Sequence, residues 1–125
     1  MISEFVGIPY DLQNRQGVNC WSLVALVYDK LFNDKLQDYS AKNIQSISAA
    51  FSAAFAEGNH GFERVEKPSD FDVVVMYGNI TTHCGVYYQG KLLHATSDQK
   101  QVVFQRLNDV TRFFNRVEFW SKSHT

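Results

Sequence analysis

Apolar residues recur at helical spacing in the first half of the chain and in short, strand-length runs in the second. Leu23, Val24, Val27 and Leu31 fall on one helical face, the arrangement of an amphipathic helix against a core. Asn19 stands just ahead of them and can cap a helix. The pattern predicts a helix over Cys20–Phe32, with Cys20 in its first turn. A second set, Ile44, Ile47, Phe51 and Phe55, recurs at spacings of three and four and predicts a helix over Ala41–Glu57. Ser40 is its expected N-cap, Gly58 follows its end, and Tyr39 and Ile44 are placed for a hydrophobic staple.

Beyond Gly58 the period changes. Phe71–Tyr77, His83–Tyr88 and Lys91–Ala95 are short runs rich in Val, Tyr and Leu, the composition of strands. Gln89 and Gly90 alone separate the last two, which predicts a tight hairpin in which Gly90 accepts a positive φ. Further strands are expected at Gln101–Arg106 and Arg116–Trp120, with a short helix between them capped by Asn108. Helices first and an antiparallel sheet afterwards indicate an α+β domain.

Length and charge narrow the classes. At 125 residues, 45% of them hydrophobic, the chain is expected to form one domain over 1–125, and no repeat, linker or low-complexity tract divides it. Twelve basic and thirteen acidic residues give no global reason to bind nucleic acid or an anionic membrane. The longest apolar run, Leu23–Tyr28, is far short of the roughly 20 residues of a spanning helix. The start, MISEFVGIPY, lacks a basic segment, an apolar core and a cleavage site. A soluble protein made in the cytoplasm without a signal peptide is expected. The two cysteines, Cys20 and Cys84, are too few for a disulfide framework, so free thiols are expected.

A cysteine in the first turn of a helix meets unpaired N–H groups and the positive end of the helix dipole, which favour thiolate over thiol. Cys20 is therefore a candidate nucleophile, although among Trp21, Leu23 and Val24 it also fits as a small buried hydrophobe. His83 and His94 strengthen the first reading, because the hairpin places them on neighbouring strands. A thiolate needs a base, and the base needs a third group to fix its orientation and tautomer. Cys20, His83 and His94 can fill those roles in that order. Each histidine taken singly also reads as an ordinary strand residue.

Other chemistries are less well supported. No C-x-x-C or H-x-x-x-H spacing occurs, so no metal or other cofactor is expected. Nor is there a phosphate-loop, dinucleotide or serine-hydrolase string. Cys84 alternates with His83 along a strand and is assigned to the core rather than the site. Asp70 and Asp72 read as a solvated turn at a strand start, not as an acid/base pair. His60, in a loop, and His124, next to last, are given no role.

Four strings carry a resemblance: GIPY, GVNCWSLVALVYDKLF, DFDVVVMYG and THCGVYYQGKLLHA, in that order. Together they resemble the NlpC/P60 family of cell-wall peptidases, which implies a papain-like cysteine peptidase fold with N-terminal helices packed on a central antiparallel sheet. In that family the nucleophile opens a helix, as Cys20 does in Asn19-Cys20-Trp21-Ser22-Leu23. The base histidine corresponds to His83 and the third polar residue to His94. Tyr10 is similar to the family tyrosine whose hydroxyl lies beside the nucleophile. The last strand, short helix and strand resemble phage-type members, so the likeness covers nearly the whole chain.

The resemblance implies hydrolysis of amide bonds in peptidoglycan stem peptides, between D-glutamate and a diamino acid, by a phage or prophage tail protein. Stem peptides and phage tail proteins are the expected partners, and a phage tail the expected destination. Three departures stand out: Asn19 for aspartate, Ser22 for glycine, and Ser69-Asp70-Phe71-Asp72 for the common Pro-Gly-Asp entrance to the central strand. They motivate an alternative, a catalytically silent structural tail subunit that keeps the fold.

Overall fold

In a computed structural model, residues 2–36, 44–58 and 61–123 are described. Helix α1 (Cys20–Phe32) begins and ends where its apolar spacing predicts. Its start is fixed by a reciprocal pair. Asn19 Oδ1 accepts the Ser22 N–H at 2.8 Å, and Ser22 Oγ accepts the Asn19 N–H at 2.8 Å. This capping box satisfies two backbone donors that the helix leaves without partners. The Asn19 side-chain amide also donates to the Leu12 carbonyl at 2.9 Å, a bond that an acceptor-only carboxylate at this position could not make. The helix stops at Asn33, in a left-handed conformation.

The inner face of α1 is sealed: Cys20, Trp21, Leu23, Val24 and Val27 have no exposed surface. Helix α2 (Ile44–Glu57) joins it through aromatic contacts. Trp21 stacks on Phe51 with ring centroids 5.5 Å apart and meets Phe55 edge-on. The expected start at Ala41, the Ser40 cap, the staple at Tyr39, and both His60 and His124 lie outside the described residues.

Six strands form one antiparallel sheet in the order β1-β6-β2-β3-β4-β5. They are β1 (Glu63–Val65), β2 (Val73–Tyr77), β3 (Thr82–Tyr88), β4 (Lys91–Thr96), β5 (Gln101–Arg106) and β6 (Arg116–Ser121), with helix α3 (Leu107–Thr111) between the last two. Val73 and Val75 of β2 join the cluster built on α1, together with Cys84, Val86, Leu93 and Ala95. Val74 and Met76 join a second cluster with Leu92 and Val110 of α3. Burial on both faces explains why β2 is an unbroken apolar run rather than an alternating one.

The turn between β3 and β4 forms as expected, with positive φ at both Gln89 and Gly90. Differences from the predicted elements have local causes. Strand β2 begins at Val73 rather than Phe71, because Phe71 adopts a positive φ in a turn where Asp72 accepts the Ser69 N–H at 2.8 Å. Asp72 is thus buried rather than solvated, while exposed Asp70 accepts the Gln89 N–H. Helix α3 starts at Leu107, so Asn108 lies inside it and the preceding Arg106 makes no side-chain cap bond. Strand β1 has three residues with no apolar alternation, and its place comes from pairing with β6.

One glycine shapes the site. Pairing of β3 with β4 runs from Tyr88↔Lys91 to Val86↔Leu93 and stops there. At Gly85 a Cβ would stand 2.6 Å from the Leu93 carbonyl oxygen and 3.0 Å from the His94 Cβ. Only a residue without a side chain permits this approach.

The capping box makes a quantitative prediction. Asn19→Ala is expected to lower unfolding stability by about 1 kcal/mol or somewhat more, measured by denaturant titration. Because the two bonds are reciprocal, the Asn19→Ala/Ser22→Ala double variant should lose less than the sum of the single losses.

Candidate active site

Cys20 owes its position to α1 and to the loop before it. That loop doubles back so that Pro9 and Tyr10 run beside Gly17 and Val18. The Val18 N–H reaches the Pro9 carbonyl at 2.9 Å, and the Asp11 N–H reaches the Val18 carbonyl at 3.0 Å. A Cβ on Gly17 would stand 2.0 Å from the Pro9 oxygen, so the turn requires glycine there. Asp11 gathers the loop by accepting the N–H groups of Gln13, Arg15 and Gln16. Those bonds, led by the one from Gln16, hold its carboxyl below the usual range. Tyr10 is tied in addition to Lys100 through its N–H at 3.0 Å.

The Cys20 thiol hydrogen-bonds with the Cys84 thiol and with the His83 imidazole. These contacts shift its acidity. The Cys84 hydrogen bond is the largest influence and favours the thiolate. Burial opposes it, and the hydrogen bond and positive charge of His83 reinforce it. The net effect holds the Cys20 thiol well below the ordinary cysteine range. Cys84 goes the other way, pushed well up by burial and then by Cys20. The pair therefore divides its labour: Cys20 ionises while Cys84 keeps its proton and donates it.

Cys84 is a core residue, as its alternation with His83 suggests, yet it touches the candidate nucleophile. The expectation that it stands apart from the site is corrected. Alternation along β3 assigns faces correctly but does not say that the end of α1 descends onto the Cys84 face.

His83 and His94 come together as the hairpin implies. His83 Nε2 lies 2.8 Å from His94 Nδ1, and His94 Nε2 lies 2.7 Å from Gln105 Oε1. Phe114 stacks parallel to the His83 ring at 6.1 Å between centroids, which limits its rotation. Burial pushes His94 down to about 4, the charge of His83 adds to this, and the Gln105 hydrogen bond opposes it. His94 is consequently neutral at pH 7.

Tyr10, His83, His94, Gln105 and Phe114 line a cleft of about 510 Å³ at this end of the sheet. Cys20 itself has no exposed surface. Tyr10 is near enough to Cys20 for the charges to interact, and burial, followed by that interaction, raises its hydroxyl pKa. Among the described residues no group of three or more His, Cys, Asp or Glu side chains is arranged to hold a metal. What the arrangement can do is generate a thiolate, take and return a proton at His83, and hold that imidazole in place.

Spacing along the sequence points to neither Gln105 nor Phe114. Gln105 lies opposite Leu92 in the β4–β5 register, and His94 lies opposite Val103. Gln105 is therefore the diagonal neighbour of His94, a relation that depends on a register no short string announces. Phe114 follows α3 in a stretch with no strand or helix pattern of its own.

The acidity of His94 predicts how stability depends on pH. Between its ordinary value of 6.5 and its folded value of about 4, the unfolded chain binds a proton that the folded chain does not. Stability therefore rises with pH across this window and is lost as pH falls through it, by up to about 3 kcal/mol. Thermal unfolding between pH 4 and pH 7 should show this slope in wild type, and a smaller one in His94→Asn.

No curated protein matches the chain. A family model described as the NlpC/P60 family matches residues 7–117, a span that holds Tyr10, Cys20, His83 and His94. Members are generally cysteine peptidases or hydrolases, and the family suggests activity on the cell wall. With all but the two ends of its sequence matched, the chain belongs to the NlpC/P60 family.

Proposed function

We propose that the chain is a papain-like cysteine hydrolase of peptidoglycan stem peptides, with Cys20 as nucleophile, His83 as base and His94 as the group that orients it. The observation that carries this reading is the hydrogen-bonded series from Cys20 through His83 to His94 in a chain of this family. The Cys20 thiolate attacks the carbonyl carbon of the scissile amide. Negative charge then develops on the carbonyl oxygen, where the Cys20 N–H, outside the helical ladder, and the Tyr10 hydroxyl are the proposed donors. His83 returns its proton to the leaving amine as the C–N bond breaks, leaving a thioester. Water attacks that thioester with His83 accepting its proton, and the acid and the free thiol are released.

The proposed bond lies between D-glutamate and a diamino acid, and the proposed setting is a phage or prophage tail, where tail proteins would be its partners. The resemblance of the sequence from Val102 to Trp120 to phage-type members supports that setting. The altered residues beside the nucleophile do not weigh against activity, because Asn19 and Ser22 cap α1 together. A second reading, a silent structural tail subunit, is favoured by one fact: Cys20 is fully buried. Substrate must displace the cover over the thiol before the chemistry can start.

Digestion of purified muropeptides, followed by mass spectrometry, tests the hydrolase. Wild type should release stem fragments, with cleavage at the D-glutamyl bond, and Cys20→Ala should release none. Identical fragment patterns from wild type and Cys20→Ala across several wall types would leave the structural reading in its place.

The acidity of Cys20 gives a test that needs no substrate. In Cys84→Val the hydrogen bond that most favours the thiolate is gone. Alkylation of Cys20 by iodoacetamide near pH 6.5 should slow by on the order of tenfold, and the midpoint of its pH profile should rise. Peptide mapping after a timed reaction reads both effects.

A further inference from the structure

We propose that Gln105 is a positioning residue whose side-chain carbonyl selects the tautomer of His94 and, through it, the nitrogen of His83 that faces Cys20. The inference rests on the hydrolase reading for its purpose, but its geometry stands alone. Gln105 Oε1 is 2.7 Å from His94 Nε2, and His94 Nδ1 is 2.8 Å from His83 Nε2.

A neutral imidazole has one N–H and one bare nitrogen. A carbonyl oxygen only accepts, so the His94 hydrogen sits on Nε2 and its Nδ1 is bare. That bare nitrogen requires a donor, which makes His83 Nε2 protonated. In neutral His83 the remaining nitrogen, Nδ1, is then the acceptor available to the Cys20 proton. Each link follows from the one before it, and the series starts at Gln105.

The neutrality of His94 is part of the design. Burial and the charge of His83 keep its pKa near 4, so His94 can accept from an imidazolium at His83 without placing a second positive charge beside it. Glutamine suits this position better than a carboxylate. Glutamate would select the same tautomer but would favour a charged His94. With no acceptor at residue 105, His94 is free to carry its hydrogen on Nδ1. It would then donate to His83 Nε2 and leave the His83 hydrogen on Nδ1, directed at the thiol it should deprotonate.

Gln105 is exposed on edge strand β5, so Gln105→Leu should fold, and circular dichroism with thermal unfolding checks this. The test is long-range proton–nitrogen NMR of ¹⁵N-histidine-labelled protein at pH 7, in wild type, Gln105→Leu and Gln105→Glu. Wild type and Gln105→Glu should show the Nε2–H tautomer at His94, and Gln105→Leu should show a large Nδ1–H population. Cys20 alkylation should slow at least about tenfold in Gln105→Leu and recover in Gln105→Glu. An Nδ1–H tautomer at His94 in wild type, or unchanged tautomers in Gln105→Leu, would overturn the proposal. Neither readout uses a substrate. Absence of muropeptide cleavage alongside the expected tautomers would therefore remove the hydrolase reading while leaving the role of Gln105 in place.

Discussion

The structure depends on the way α1 starts. Asn19 and Ser22 exchange backbone-to-side-chain hydrogen bonds, both residues being buried, and this fixes the direction in which the chain turns into the helix. Cys20 is the next residue after the cap, so its position against β3 is set by the same two bonds. A cap made by a single side chain could satisfy one donor and leave the other to water, which a buried site excludes. The departures from the family motif at positions 19 and 22 are thus two halves of one solution: serine at the third helical position supplies what glycine there would not.

This locality explains what could be read from sequence. The cap, the α1 stripe and the Gln89-Gly90 turn are each set by residues a few positions apart, and each appears where the pattern puts it. The hairpin brings His83 and His94 together for the same reason. Gln105, Phe114 and the contact between Cys84 and Cys20 depend on register and on how α1 lies over the sheet. Gly85 marks the difference. Its place in THCGVYY is consistent with an ordinary strand, but the end of β3–β4 pairing at Val86 and the close Leu93 carbonyl exist only once the strands are assembled. Asp72 teaches the same lesson from the other side: it reads as a solvated turn residue, and the turn it closes carries it under the surface.

Charge in the site is managed by keeping most of its groups neutral. Cys84 retains its proton, His94 is uncharged at pH 7, and Gln105 contributes a dipole. No second charged neighbour then competes with the influence of His83 in favouring the Cys20 thiolate. Inside a protein an unpaired charge is costly, and two neighbouring imidazolium ions would each raise the cost of the other. The depressed pKa of His94 is the consequence, and it makes His94 a source of acid sensitivity in the fold as well as an acceptor for His83.

Burial of Cys20 brings folding and chemistry into opposition. The same zero exposure that lets α1 pack without a gap keeps the thiol from the surface, while its lowered pKa makes it the group most ready to react. The cleft lined by His83, Tyr10 and Phe114 is the side on which the cover can open, because Cys20 is otherwise packed in one core cluster with Cys84, Trp21 and the α1 stripe. Side chains held by single contacts move more readily than a helix held by a buried cap and two packed aromatic rings. Tyr10 lines that cleft with its ring half buried against the core, while its backbone is pinned to Lys100 and its loop to Val18. Opening on that side would leave the α1 cap and the packing of Trp21 in place, so access to the sulfur and the integrity of the helix need not compete.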